Sequence, residues 1–170
     1  MTRAVTDVRF AASDLDAQRR VLEVNLAAPM VLTARLLEAN RVSDGGSLVF
    51  ISSLSHYVGY PGASVYAATK DGLASYARSL SAALKPRRIH VLRVFPGPTR
   101  TEHAKRYSPS GSKESSRMDP AVVARQVERA VRKRKRVLVP GFGNRVVARL
   151  GRVMPGTMGR LMKKVILDRL

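Results

Sequence analysis

The feature that most constrains this chain is the stretch from Gly46 to Lys70, GSLVFISSLSHYVGYPGASVYAATK. It opens with Leu48-Val49-Phe50-Ile51, bounded by Gly45-Gly46 on one side and Ser52-Ser53 on the other. A short, unbroken run of branched and aromatic residues predicts a strand buried on both faces of a parallel sheet. The two serines mark its carboxyl end, which is where open α/β sheets place their ligands. A loop containing Gly59, Pro61 and Gly62 follows, and a helix is predicted from near Ser64 to Leu84. That helix carries Tyr66 and Lys70, which at four residues apart share one face.

Such a pair has a chemical use. A tyrosine with a free pKa of about 10 becomes an acid-base group near neutral pH only if that value falls by about three units, or about 4 kcal/mol. One positive charge about 4 Å away, at an effective dielectric of about 20, supplies energy of that order. Lys70 is spaced to provide the charge. Ser53 is placed to donate a hydrogen bond to a substrate carbonyl while Tyr66 gives or takes the proton. Each residue alone has a plainer reading. Ser53 is then a strand-end serine bonding its own backbone, Asn25 a helix-terminus residue, and the Tyr–Lys pair a coincidence of helical spacing.

Taken together, these residues resemble the active-site pattern of the short-chain dehydrogenases/reductases: Ser53, twelve intervening residues, Tyr66, three more, Lys70. The segment Val24-Asn25-Leu26, on a long helix upstream, is similar to the one that carries the family's active-site asparagine. Pro96-Gly97-Pro98-Thr99-Arg100-Thr101, after the strand-like RIHVLRVF, is similar to its cofactor loop. The resemblance runs from about Asp14 to about Pro140. It implies Tyr66 as the acid-base, Ser53 as the carbonyl ligand and Lys70 as pKa modulator and ribose ligand. Asn25 would hold a water in the proton relay. The cofactor contacts implied are Asn25, Tyr66, Lys70, Pro96, Gly97, Thr99 and Thr101, with Thr101 on the nicotinamide carboxamide. The cofactor the resemblance implies is NAD(P), with NAD and NADP not distinguished, and the implied substrate is an alcohol or carbonyl compound, its apolar character suggested by the residues around Tyr57 and Tyr60. A homo-oligomer is implied too, through the upstream helix and the one carrying Tyr66.

The family's first strand and glycine-rich turn, T-G-x-x-x-G-x-G, which hold the cofactor pyrophosphate, are not among these 170 residues, nor is its N-N-A-G segment. Gly141-Phe142-Gly143 lacks a third glycine and reads as a loop. The expected fold is therefore α/β: a partial, doubly wound parallel sheet of the Rossmann type over residues 1–140, supplying the family's last three strands. A basic helical extension follows over 141–170. Two expectations come with the missing turn. The chain should bind a dinucleotide weakly, and the strand Leu48–Ile51 should present an unpaired edge. A truncated, inactive relic or mis-started product is one alternative to an enzyme. A basic peripheral membrane protein on an enzyme scaffold is another.

The rest of the chain adds limits. There is no cysteine, so disulfides and thiolate metal sites are excluded, and His56, His90 and His103 lack ligand spacing. His90 is expected in the core and no metal is expected. No secretory pattern or run of about 18 apolar residues occurs, so the expected location is the cytoplasm, with the membrane periphery as the alternative. Asp14-Leu15-Asp16 predicts a helix start, running to about Asn40, with Pro29 bending it or marking its true beginning. Arg100–Met118 is polar and predicted mobile. Asp119-Pro120 predicts an N-cap and first helical residue, and Val137–Val139 a last strand. Asp119–Leu170 holds fourteen Lys/Arg against three acids, within a net charge of +19. In the tail, Leu161, Met162, Val165 and Ile166 share a face opposite Arg160, Lys163 and Lys164. That pattern fits an anionic membrane surface, and equally a helix capping the pocket. Nucleic acid ranks last, with only 5% aromatic residues for stacking.

Overall fold

The computed structural model describes residues 14–60, 63–102 and 117–166. Asp14 opens the first helix: its carboxylate accepts from the N–H of Asp16 at 2.9 Å and of Ala17 at 3.2 Å. That satisfies two of the donors a helix start leaves free. Helix α1 (Leu15–Leu22) runs without a stop through a π-helical turn (Glu23–Ala27) into α2 (Ala28–Glu38). Pro29 supplies the cause. It has no N–H for the carbonyl four residues back, that of Asn25, and its ring crowds that carbonyl. The backbone widens instead, and the N–H of Ala28 reaches the carbonyl of Glu23. Pro29 therefore modifies the helix and does not begin it.

Three strands follow: β1 (Ser47–Ile51), β2 (His90–Val94) and β3 (Val137–Leu138). They form one parallel sheet in the order β1-β2-β3, with Val49 opposite Leu92 and Val94 opposite Leu138. A short helix, α3 (Ser55–Val58), lies where the sequence predicted only loop, and α4 (Ser64–Ala83) crosses back to β2. Asp119 caps α5 (Pro120–Arg132), accepting from the N–H of Ala121 at 2.7 Å with Pro120 at the first helical position. The tail is two helices, α6 (Phe142–Val153) and α7 (Pro155–Ile166), so Gly141-Phe142-Gly143 is a helix start and not a loop. The predicted mobile segment Arg100–Met118 lies outside the described residues from 103 to 116, as does the tail from 167 on.

Each face of the sheet has its own core. On one, Phe50 and Val91 pack against Leu73, Ala77 and Leu84, with Leu26 and Leu37 of the α1–α2 helix beside them. Phe50 meets Tyr76 edge to face at 5.8 Å. On the other, Leu92 and Val94 pack against Ala130, Val127 and Val131 of α5. This is a helix–sheet–helix layering, the partial doubly wound sheet expected. His90 is buried, as expected, with its ring between the Ser47 hydroxyl at 3.2 Å and the Lys135 carbonyl at 2.8 Å.

One expectation fails. β1 is buried on one face only: Phe50 is 6% exposed, but Val49 and Ile51 are 37% and 44% exposed. Both point to the α5 side, where α5 covers β2 and β3 and stops short of β1. β1 also ends the sheet. The carbonyl of Gly46 and the N–H of Ser52 bond to β2, so by alternation the backbone groups of Ser47, Val49 and Ile51 face away from it. Among the described residues no strand stands on that side.

Candidate active site

The carboxyl ends of β1 and β2 lie side by side and are tied beyond the strands, where the N–H of Leu54 donates to the carbonyl of Pro96 at 2.8 Å. That bond fixes the segment after Ser53 against the start of the Pro96–Thr101 loop. Ser53 accepts from the N–H of Ser55 at 3.2 Å as α3 begins, which leaves its own O–H to donate. Near it is the phenol of Tyr66, which α4 brings up one residue short of its first full turn. Lys70 follows one turn later. Its ammonium nitrogen stands 5.7 Å from the centre of the Tyr66 ring and donates to the carbonyl of Ile51 at 3.2 Å. Lys70 thus takes up one of the outward carbonyls of the β1 edge. The Ser52 hydroxyl donates to the carbonyl of Lys70 at 2.9 Å, clamping α4 to the strand end.

Asn25 arrives from far away in sequence. The π-helical turn presents its amide nitrogen to the hydroxyl of Thr69 at 3.4 Å, and Thr69 donates to the carbonyl of Tyr66 at 2.7 Å. Thr69 is fully buried and was not singled out in the sequence; its only signal is its place between Tyr66 and Lys70. π-Helical turns inside α-helices often mark functional positions, because they turn a backbone carbonyl and a side chain out of the regular ladder.

The cofactor-loop residues are brought together less tightly. Thr99 donates to the carbonyl of Gly97 at 3.0 Å. The carbonyl of Pro98, the one polar group that residue has, accepts from the N–H of Met118 at 3.0 Å. Thr101 is exposed at the loop's end. A residue the sequence did not flag sits against this loop: a Cβ on Gly97 would meet Asn144 Nδ2 and Oδ1 at 2.5 Å. Asn144, on α6, is held by its own bond to the carbonyl of Pro140 at 2.8 Å. Tyr60 lies beside Tyr66, ring centres 6.3 Å apart and 38% exposed. Tyr57 turns inward instead, packing on Phe95 at 5.1 Å.

The electrostatics differ from the sequence expectation. Burial pushes the Tyr66 phenol above its ordinary value; the Ser53 hydrogen bond pulls it down, and Tyr60 adds to the rise. Burial also lowers the Lys70 amine. Lys70 stands over the ring and engages a carbonyl, so desolvation, which disfavours the phenolate, prevails at Tyr66. With the chain's own groups alone, Tyr66 is a proton donor held neutral. Elsewhere His56 pairs with Asp71 at 2.9 Å, and among the described residues no group of acids and histidines could hold a metal ion.

The family model described as short chain dehydrogenase matches residues 4–111. Dehydrogenase/reductase SDR family member 7B of Danio rerio is 29% identical over 93% of this chain and 55% of its own length. The 3-oxoacyl-[acyl-carrier-protein] reductase of Mus musculus is 35% identical over 61% of this chain and 46% of its own. The chain therefore spans about half the length of the relatives it matches. Among solved structures, a short chain dehydrogenase from Burkholderia cenocepacia in complex with NADP superposes with a TM-score of 0.75 at 21% identity. It covers 95% of this chain and 65% of that one. One from Sphingobium yanoikuyae in complex with NADPH gives 0.69 at 24%, covering 95% and 62%. These neighbours carry the Rossmann-like arrangement of a parallel sheet between helices. With a family match over more than half its length, and this fold beneath it, the chain belongs to the short-chain dehydrogenase family.

Proposed function

We propose that this chain forms the substrate-side part of an NAD(P)-dependent oxidoreductase acting on an alcohol or carbonyl group. The observation that carries this reading is the convergence of Ser53, Tyr66 and Lys70 at the carboxyl end of β1, backed by Asn25 through Thr69. The donor set fits the nicotinamide end of a dinucleotide. It holds two hydroxyls and an ammonium whose three donors include one fixed on the Ile51 carbonyl, and two similar structures hold NADP and NADPH. Lys70 would meet ribose hydroxyls, and Asn25, Pro96, Gly97, Thr99 and Thr101 would border the nicotinamide. The cofactor, when bound, supplies the hydride acceptor or donor.

The chain's own residues do the rest. Ser53, with its oxygen already accepting from Ser55, directs its O–H at the substrate oxygen and polarises the carbonyl. Tyr66, neutral as it stands, hands its proton to that oxygen in the reducing direction. In the oxidising direction it must lose the proton first. A positive charge at Lys70, with that of oxidised nicotinamide, would favour this step. Exposed Tyr60 beside Tyr66 supports an apolar substrate face. Exposed Val24, Val31 and Leu32 on the α1–α2 helix support a contact with a second copy of the chain.

The test is Tyr66→Phe in a protein of full family length that carries these residues, assayed for ketone reduction with NADH and NADPH. Turnover should fall by about 100-fold or more. Near wild-type turnover in the variant would remove Tyr66 from the acid-base role. An unmutated full-length protein without activity would favour the inactive reading.

A further inference from the structure

Helix α6 has a buried face and an outward face, and the outward face is not uniformly polar. Ala148 and Gly151 are buried, with Gly151 lying against the Tyr57 carbonyl. Phe142, Val146, Leu150 and Val153 are 75%, 40%, 47% and 78% exposed. Their spacing of four, four and three residues puts them in one stripe along the helix. Arg145, Arg149 and Arg152 are exposed along a single flank of that stripe, and the Arg145 guanidinium lies 5.7 Å from the Phe142 ring. Met154 and Leu161, each 50% exposed, carry the apolar surface into α7. From Phe142 to Ile166 the sequence has six Lys/Arg and no acid.

We propose that this face of α6 docks on an anionic lipid bilayer, with the apolar stripe entering the headgroup boundary and the arginine row meeting lipid phosphates and carboxylates. An interfacial helix needs both parts, side by side and both exposed. Among the described residues no helix is long and apolar enough to cross a membrane, so the contact is with the surface. Charge argues against a second copy as the occupant. Two such faces brought together would oppose arginine rows with no acid between them. A nucleic acid would meet the arginines but leave the aliphatic stripe in water. The surface also differs from the sequence expectation, which placed lipid contact on the tail face of Leu161, Met162, Val165 and Ile166. There Met158 is turned inward, 8% exposed, and the long exposed stripe belongs to the preceding helix.

The chain has no tryptophan, so Phe142→Trp creates a single emission probe at a position 75% exposed. Mixed with phosphatidylcholine/phosphatidylserine vesicles, its emission should shift to the blue and be quenched by brominated lipid. With pure phosphatidylcholine it should do neither. In flotation, Phe142→Glu/Val153→Glu should weaken binding to the anionic vesicles by about tenfold or more. Lys133→Glu/Lys135→Glu, in the basic run after α5, should change it little, with circular dichroism confirming that both pairs fold. No blue shift on anionic vesicles would overturn the proposal. So would a loss from the lysine pair as large as or larger than that from the stripe pair: the first lowers the net charge by four and the second by two, so that order would mean adsorption by net charge alone. A shift that follows protein concentration without lipid would assign the face to self-association.

Discussion

Gly151 is the point where α6 rests on α3, and its replacement tests the packing that places α6 beside the active-site segment. A Cβ there would fall well inside van der Waals contact of the Tyr57 carbonyl oxygen, with the Tyr57 carbonyl carbon at 2.9 Å and Val58 Cγ1 at 3.0 Å. Two of those atoms are backbone, so no side chain can swing aside. Overpacking of this kind costs about 1–3 kcal/mol. Alanine in a helix regains about 1 kcal/mol over glycine. The net expectation for Gly151→Ala is a loss of up to about 2 kcal/mol. Gly159→Ala is its control. It sits in α7 with nothing within 4 Å of the added Cβ, so only the propensity term acts and the variant should gain about 0.5–1 kcal/mol. Urea unfolding followed by circular dichroism should move the midpoint down for Gly151→Ala and up for Gly159→Ala, with the slope unchanged. Each kcal/mol corresponds to about 2–4 °C in Tm for a domain of this size. If Gly151→Ala stabilises as much as Gly159→Ala, α6 does not pack on α3 as described.

Gly97→Ala should press on the Asn144 amide and lower stability. The double variant Gly97→Ala/Asn144→Ala should recover part of the loss, and a double-mutant cycle with no coupling would refute the contact. Burial holds the Tyr66 phenol neutral to a higher pH than the value of about 10 it has in the unfolded chain. Its contribution to stability is therefore complete below pH about 10 and is lost as pH rises through the raised folded value. Phenolate absorbance during alkaline titration should accordingly lose a late component in Tyr66→Phe; loss of an early component would reverse the assignment.

Much of this molecule was legible from residue order because the relevant physics is local. Asp14 and Asp119 bond N–H groups two or three residues away, so their capping could be read from sequence. The apolar runs of β1 and β2 and the pattern of α4 could be read the same way. Helical rise puts Lys70 on the same helix face as Tyr66, one turn on, and a strand that ends at Ile51 puts Ser53 just beyond the sheet's carboxyl edge. The tertiary structure decided what depends on distant partners. Whether Val49 and Ile51 are covered depends on how far α5 reaches across the sheet, and an apolar run alone cannot report that. Asn25 joins the site only because Pro29 widens the helix and α4 delivers Thr69, 44 positions along the chain. Asn144 meets Gly97 because α6 folds back over the loop. The direction of the Tyr66 shift followed the same rule. Helical spacing put a cation near the ring, but burial by residues from several elements set the larger energy, and burial is a property of the assembled fold.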